Sequence, residues 1–210
     1  MSGGRGPALA LLCDLDGTLI DSERSVLDAF RSWGRDRGLD PDAVLATFRH
    51  GVPSADLVAD MAPHLDPAAE AAELDRRQAE DTRGVVGLAG ARELLAGPWP
   101  AAVVTSCTLE LARARLTAGG LAAPDVLVTP ERISRGKPDP EGFLLAAREL
   151  DVAPERCVVL EDAPAGVAAG RAAGMRVFAV LTTHTRAELP DATGYVDDLF
   201  EVPEMLRELE

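Results

Sequence analysis

The second half of the chain carries four near-continuous apolar runs: "AAVVTS" (101–106), "DVLVT" (125–129), "RCVVLED" (156–162) and "RVFAVL" (176–181). A strand that is apolar at almost every position offers no face to water, so it must be covered on both sides. The runs are separated by helical patterns, from about Leu109 to Ala118, in "EGFLLAAREL" (141–150) and in "PAGVAAGRAAG" (164–174). Strands alternating with helices and covered on both faces imply an α/β fold, a Rossmann-like parallel sheet flanked by helices. Ala8 to Cys13 supplies a first strand, and "TGYVDDL" (193–199) a short last one.

Between these, from Asp21 to about Arg83, no strand-like run appears. The segments "SERSVLDAFRSWGRDRG", "DPDAVLATFRH", "PSADLVADMA" and "DPAAEAAELDRRQAEDTR" carry Ser or Asp at their openings and several have Pro near the first turn, which are helix starts. Gly34, Gly38 and Gly51 mark breaks between them. The expected organisation is an α/β core from residues 1–20 and 84–210, with a small helical domain, residues 21–83, inserted after strand one.

At 210 residues the chain can bury one core and a small second module. A net charge of −14 argues against nucleic acid and acidic membrane surfaces as partners. No apolar run approaches bilayer length, and "MSGGRGPA" reads as a loose tail without the regions of a secretion signal, so a cytoplasmic location is expected. Cys13, Cys107 and Cys157 have no spacing for a disulfide framework or a zinc site and read as small buried hydrophobes.

Ligands of parallel sheets sit at the carboxyl ends of the strands. There "LLCDLDGTLIDS" places Asp14 and Asp16, "AAVVTS" places Thr105 and Ser106, the loop "PERISRGKPDP" supplies Lys137, and "RCVVLED" ends in Glu161 and Asp162. Carboxylates can hold a hard dication such as Mg2+. A hydroxyl, an ammonium and free backbone amides can hold phosphate oxygens. Singly, each residue has an ordinary explanation: an Asp-Gly turn, helix caps at 105–106 and 161–162, a solvated loop lysine. Their arrival together on one edge is what argues for a site.

In order, "DLDGTLIDS", "VVTS", "RGKPDPEGF" and "VVLEDAPAGVAAGRAAG" resemble the four motifs of the haloacid dehalogenase superfamily, over Ala8 to Thr183. The helical insertion resembles that superfamily's C1 cap, and the motif contexts are most similar to small sugar- and polyol-phosphate phosphatases, the glycerol phosphate and 2-deoxyglucose 6-phosphate group. The resemblance implies that Asp14 is the nucleophile and that Asp16 is general acid and then general base. It implies Mg2+ held by Asp14, the carbonyl of Asp16, Asp162 and Glu161. It also implies phosphate bound by Thr105 and Lys137 with amides around Leu15, Asp16 and Ser106. The dehalogenases of the superfamily lack the second acid, so dehalogenation is set aside, and a cap without lysine, residues 21–83, argues against phosphonate cleavage.

In the cap, "HGVPSAD" (50–56) resembles a segment that in the sugar-phosphatase group continues His-Gly with arginine; Val52 and Pro53 stand here instead, with Arg49 just before. His50 and Glu80 are the candidate substrate contacts of the cap. His64 and His184 read as solvent-facing loop residues, Trp33 and Trp99 as packing anchors, and "AAGRAAG" as a small-residue helix face. The expected activity is Mg2+-dependent hydrolysis of a small phosphorylated sugar or polyol by a monomer or weak dimer. The alternatives are a phosphosugar mutase of the β-phosphoglucomutase type, a phosphoglycolate phosphatase, and a non-enzymatic scaffold.

Overall fold

The computed structural model describes residues 9–49 and 52–209, so the N-terminal tail and His50 lie outside the described residues. The chain runs β1 (Ala10–Cys13), β2 (Ile20–Asp21), α1 (Glu23–Asp36), α2 (Pro41–Thr47), α3 (Ser54–Met61), α4 (Pro67–Glu80), β3 (Val86–Gly87) and α5 (Ala91–Leu95). It continues β4 (Ala101–Val104), α6 (Leu109–Ala118), β5 (Val126–Val128), α7 (Glu141–Glu149), β6 (Cys157–Glu161), α8 (Pro164–Ala172), β7 (Arg176–Val180), β8 (Gly194–Val196) and α9 (Val202–Leu209).

Six strands form one parallel sheet in the order β5-β4-β1-β6-β7-β8. β1 is central: Leu11 sits between Ala101 of β4 and Val158 of β6. Side chains alternate across a strand, and here each face has its own core. Leu9, Leu11 and Cys13 pack with α5, α6 and α9, while Ala10 and Leu12 pack with α7 and α8. The apolar runs are therefore covered on both sides, as their composition requires. Gly170 on α8 lets that helix approach the sheet: a Cβ there would fall 2.7 Å from Val177 Cγ2.

The helices α1–α4 gather around a separate cluster of Phe30, Trp33, Val44, Leu57, Val58 and Leu74. Asp40 and Asp66 cap α2 and α4 through their carboxylates, each followed by proline in the first turn. Trp33 is fully buried and donates its indole N–H to Glu70 at 2.7 Å, tying α1 to α4. Ser22 precedes α1 but does not cap it; its hydroxyl is spent elsewhere.

Two features depart from the sequence reading. The ends of the helical block are joined by an antiparallel ribbon of β2 and β3, each two residues long, so the chain leaves and re-enters side by side. α9 was not expected, although Val202, Met205, Leu206 and Leu209 have helical spacing and pack on the core.

Candidate active site

Asp14 follows β1 directly, and its amide still pairs with the carbonyl of Leu160 at 2.9 Å, which fixes it beside the end of β6. Glu161 and Asp162 stand at that end. All three acids are buried, and one oxygen from each lies within 4.8 Å of the others. Lys137, the only lysine in the chain, reaches in from the loop after β5. Its ammonium bonds Asp14 Oδ1 and Glu161 Oε1, the latter at 2.6 Å, and lies 5.4 Å from the centre of the Phe143 ring.

One cation among three buried carboxylates leaves a surplus of negative charge. Burial pushes the Asp162 carboxyl up to about 7, with Glu161 adding to the shift. Burial likewise holds Asp14 well above the usual carboxylate range, with Lys137 opposing and its acidic neighbours reinforcing. Burial alone would lower the Lys137 pKa, but Asp14 and Glu161 outweigh it and raise it. An all-oxygen donor set short of positive charge fits a hard dication such as Mg2+.

Local sequence explains how these acids can crowd together. Gly17 adopts φ +80°, and a Cβ there would fall 2.2 Å from Asp162 Oδ2, so the turn after Asp16 passes hard against the third acid. Gly166 in the first turn of α8 makes room for Glu161: a Cβ would fall 1.6 Å from Oε1. The other oxygen, Oε2, accepts the amides of Asp162 and Ala163, each at 3.0 Å. Thr18 and Thr183 donate to the two oxygens of Asp162.

Asp16 stands apart from this cluster. Its Oδ1 accepts the Ser22 hydroxyl at 2.6 Å, and its Oδ2 accepts from Arg115 Nη1 at 2.6 Å and from the Cys107 thiol at 2.9 Å. The two acids of "DLD" nevertheless line one cavity of about 400 Å3. Leu15 between them is fully buried in the core, so only its backbone can serve the site. Thr105 and Ser106 line the cavity too; Thr105 Oγ1 accepts the Cys107 amide at 3.1 Å, and the cap of α6 is Thr108.

The far wall comes from the helical block, through Phe30, Phe48, Val52, Leu57, Asp75 and Gln78. Arg49 also lines the cavity but is engaged by Asp60. Glu80 does not reach the cleft: it is exposed and paired with Arg76 at 2.5 Å. Two positions along a helix are a 200° turn, and the face of α4 turned inward carries Leu74 and Gln78. His184 is another correction. It is half-buried, with Nδ1 3.0 Å from the carbonyl of Asp162, rather than facing solvent.

The residues missed are Ser22, Asp75, Gln78, Cys107 and Arg115. Arg115 left one sign: in "LELARARL" it falls on the stripe of Leu111, Ala112 and Leu116, where a charge needs a partner.

A family model for haloacid dehalogenase-like hydrolases matches residues 9–174. The chain is 47% identical over 178 residues to hexitol phosphatase A of Escherichia coli, covering 80% of this chain and 81% of that protein. It is 39% identical over 201 residues to validoxylamine A 7'-phosphate phosphatase of Streptomyces hygroscopicus, covering 91% and 94%. Among solved structures, CbbY from Rhodobacter sphaeroides in complex with phosphate superposes with a TM-score of 0.79 at 27% identity, covering 93% of this chain and 96% of that one.

Proposed function

The chain belongs to the haloacid dehalogenase-like hydrolases and is a phosphoric monoester hydrolase, and from that premise we propose that it hydrolyses a small phosphorylated sugar or polyol through an aspartyl-phosphate. The observation that carries this reading is the enclosure of Asp14, Asp16, Thr105, Ser106 and Lys137 in one cavity of about 400 Å3. That size lies near the lower end of the roughly 300–1,000 Å3 typical of small-ligand sites. Residues 21–83 act as the cap over a core of residues 1–20 and 84–210, shielding the reaction from bulk water. Hexitol phosphates and validoxylamine A 7'-phosphate, for which the two relatives are named, are the first substrates to try.

Lys137, Thr105, Ser106 and backbone amides bind the phosphoryl oxygens and align phosphorus with a carboxylate oxygen of Asp14. That oxygen forms the new P–O bond as the ester P–O bond breaks, and Asp16 gives its proton to the departing alkoxide. Asp16 then takes a proton from water as the water oxygen attacks phosphorus. The aspartyl P–O bond breaks, inorganic phosphate leaves and the Asp14 carboxylate is restored. Asp14, the carbonyl of Asp16, Asp162 and Glu161 would hold Mg2+, which when bound offsets the charge of the meeting anions and of the transferring group.

The test is a phosphate-release screen over hexitol, hexose, glycerol and glycolate phosphates and validoxylamine A 7'-phosphate with Mg2+. Turnover is expected with the polyol or sugar esters and is expected to vanish with EDTA. An isomerised sugar phosphate in place of inorganic phosphate would overturn hydrolysis in favour of a mutase.

A further inference from the structure

Arg115 is 4% exposed, although its side chain carries a full charge. Such a group is retained only if it is partnered, and its partners come from three parts of the chain. Nη1 donates to Asp16 Oδ2 at 2.6 Å and to Cys107 Sγ at 2.8 Å. Nη2 donates to the side-chain oxygen of Gln78 on α4. Gln78 is itself buried, and its Nε2 donates to the carbonyl of Leu74 at 3.2 Å, which turns the amide so that its oxygen faces the guanidinium. One planar, rigid fork therefore spans the proton-carrying carboxylate of the core and the helix that walls the far side of the cavity.

We propose that Arg115 is a positioning residue that sets the Asp16 carboxylate in register with the docked helical block through Gln78. The inference rests on the assignment of Asp16 as acid and base. A guanidinium with two directions fixed by Gln78 and Cys107 has little freedom in where its remaining N–H groups point. Asp16, held by this fork on one oxygen and by Ser22 on the other, is aimed by residues of both layers. Closing α4 over α6 thus completes the placement of the group that serves the leaving oxygen.

An anchor with only a structural role would affect all substrates alike when removed. A residue acting through Asp16 affects esters according to how much their leaving group needs a proton. An alkoxide needs one and p-nitrophenolate does not. The experiment compares kcat/KM, which reports the steps through leaving-group departure, for p-nitrophenyl phosphate and for the alkyl phosphate that the wild-type protein turns over fastest in the screen.

In Arg115→Met the alkyl-to-aryl ratio of kcat/KM is expected to fall by about tenfold or more, a part of what general acid catalysis supplies. Arg115→Lys is expected to fall between it and the wild type. Gln78→Met leaves the buried guanidinium in place, so it tests the link to α4 without depending on the fold surviving loss of Arg115. Its ratio is expected to fall in the same direction. An unchanged ratio in Arg115→Lys and Gln78→Met would overturn the proposal, and so would a ratio that rises. Asp14→Asn is the control: activity on both esters in that variant would mean that the assigned chemistry, not Arg115's role, is wrong.

Discussion

Asp14 is costly to the protein that carries it. It is buried beside two other acids, and burial holds its carboxyl well above the ordinary range. Replacing it by the isosteric amide removes one charge from the cluster while leaving Lys137 its bond to Glu161. Asp14→Asn is therefore expected to raise the melting temperature of the metal-free protein near pH 7, while phosphate release falls by about three orders of magnitude or more. A melting temperature equal to or below that of the wild type would show that the acid cluster is not a site of stored repulsion.

At the scale of elements, the glycine in the first turn of α8 has a sharper role than helix packing. A methyl group on Gly166 would meet Glu161 Oε1 at 1.6 Å, and that carboxylate already has Lys137 and two amides in place. Gly166→Ala is expected to destabilise by about 1–3 kcal/mol in urea unfolding, the usual range for overpacking, and to lower activity by displacing Glu161. The sheet was readable in the sequence because strands covered on both faces are apolar throughout, and their ends then delivered Asp14, Thr105, Lys137 and Asp162 to one edge. The ribbon of β2 and β3 was not readable, since a two-residue strand has no period. Nor was the setting of Asp16. Its partners stand 6, 91 and 99 residues away, and only Arg115, a charge on an apolar helix stripe, betrayed that a buried pair existed. On α4 the expected substrate contact, Glu80, turns to solvent because helix geometry points Leu74 and Gln78 inward and carries Glu80, two positions on from Gln78, to the opposite side.

For the whole molecule the unpaired negative charge at the sheet edge sets how stability follows pH. Asp162 titrates at 3.8 when unperturbed and at about 7 in the folded protein. Between those values the folded state holds a proton that the unfolded state has released, so stability falls as pH rises across the window. The metal-free protein is expected to lose melting temperature from about pH 4 to about pH 7 on this account, and Mg2+ to restore more of it at pH 7.5 than at pH 5. A Mg2+ effect of equal size at both values would contradict the assignment of Asp162 as a ligand.

The paired strands at the base of the helical block carry a further consequence. Ile20 and Gly87 stand opposite each other in one ladder, so the two chain ends entering and leaving the block are a hydrogen bond apart. To the sheet, the intervening polypeptide is a single long loop whose contour can lengthen, shorten or be replaced without moving either anchor. A deliberate graft of another protein's helices between these anchors changes which molecules are admitted and keeps Asp14, Lys137, Glu161 and Asp162 at the strand ends, provided the graft supplies Asp16 and Arg115 with substitutes for Ser22 and Gln78.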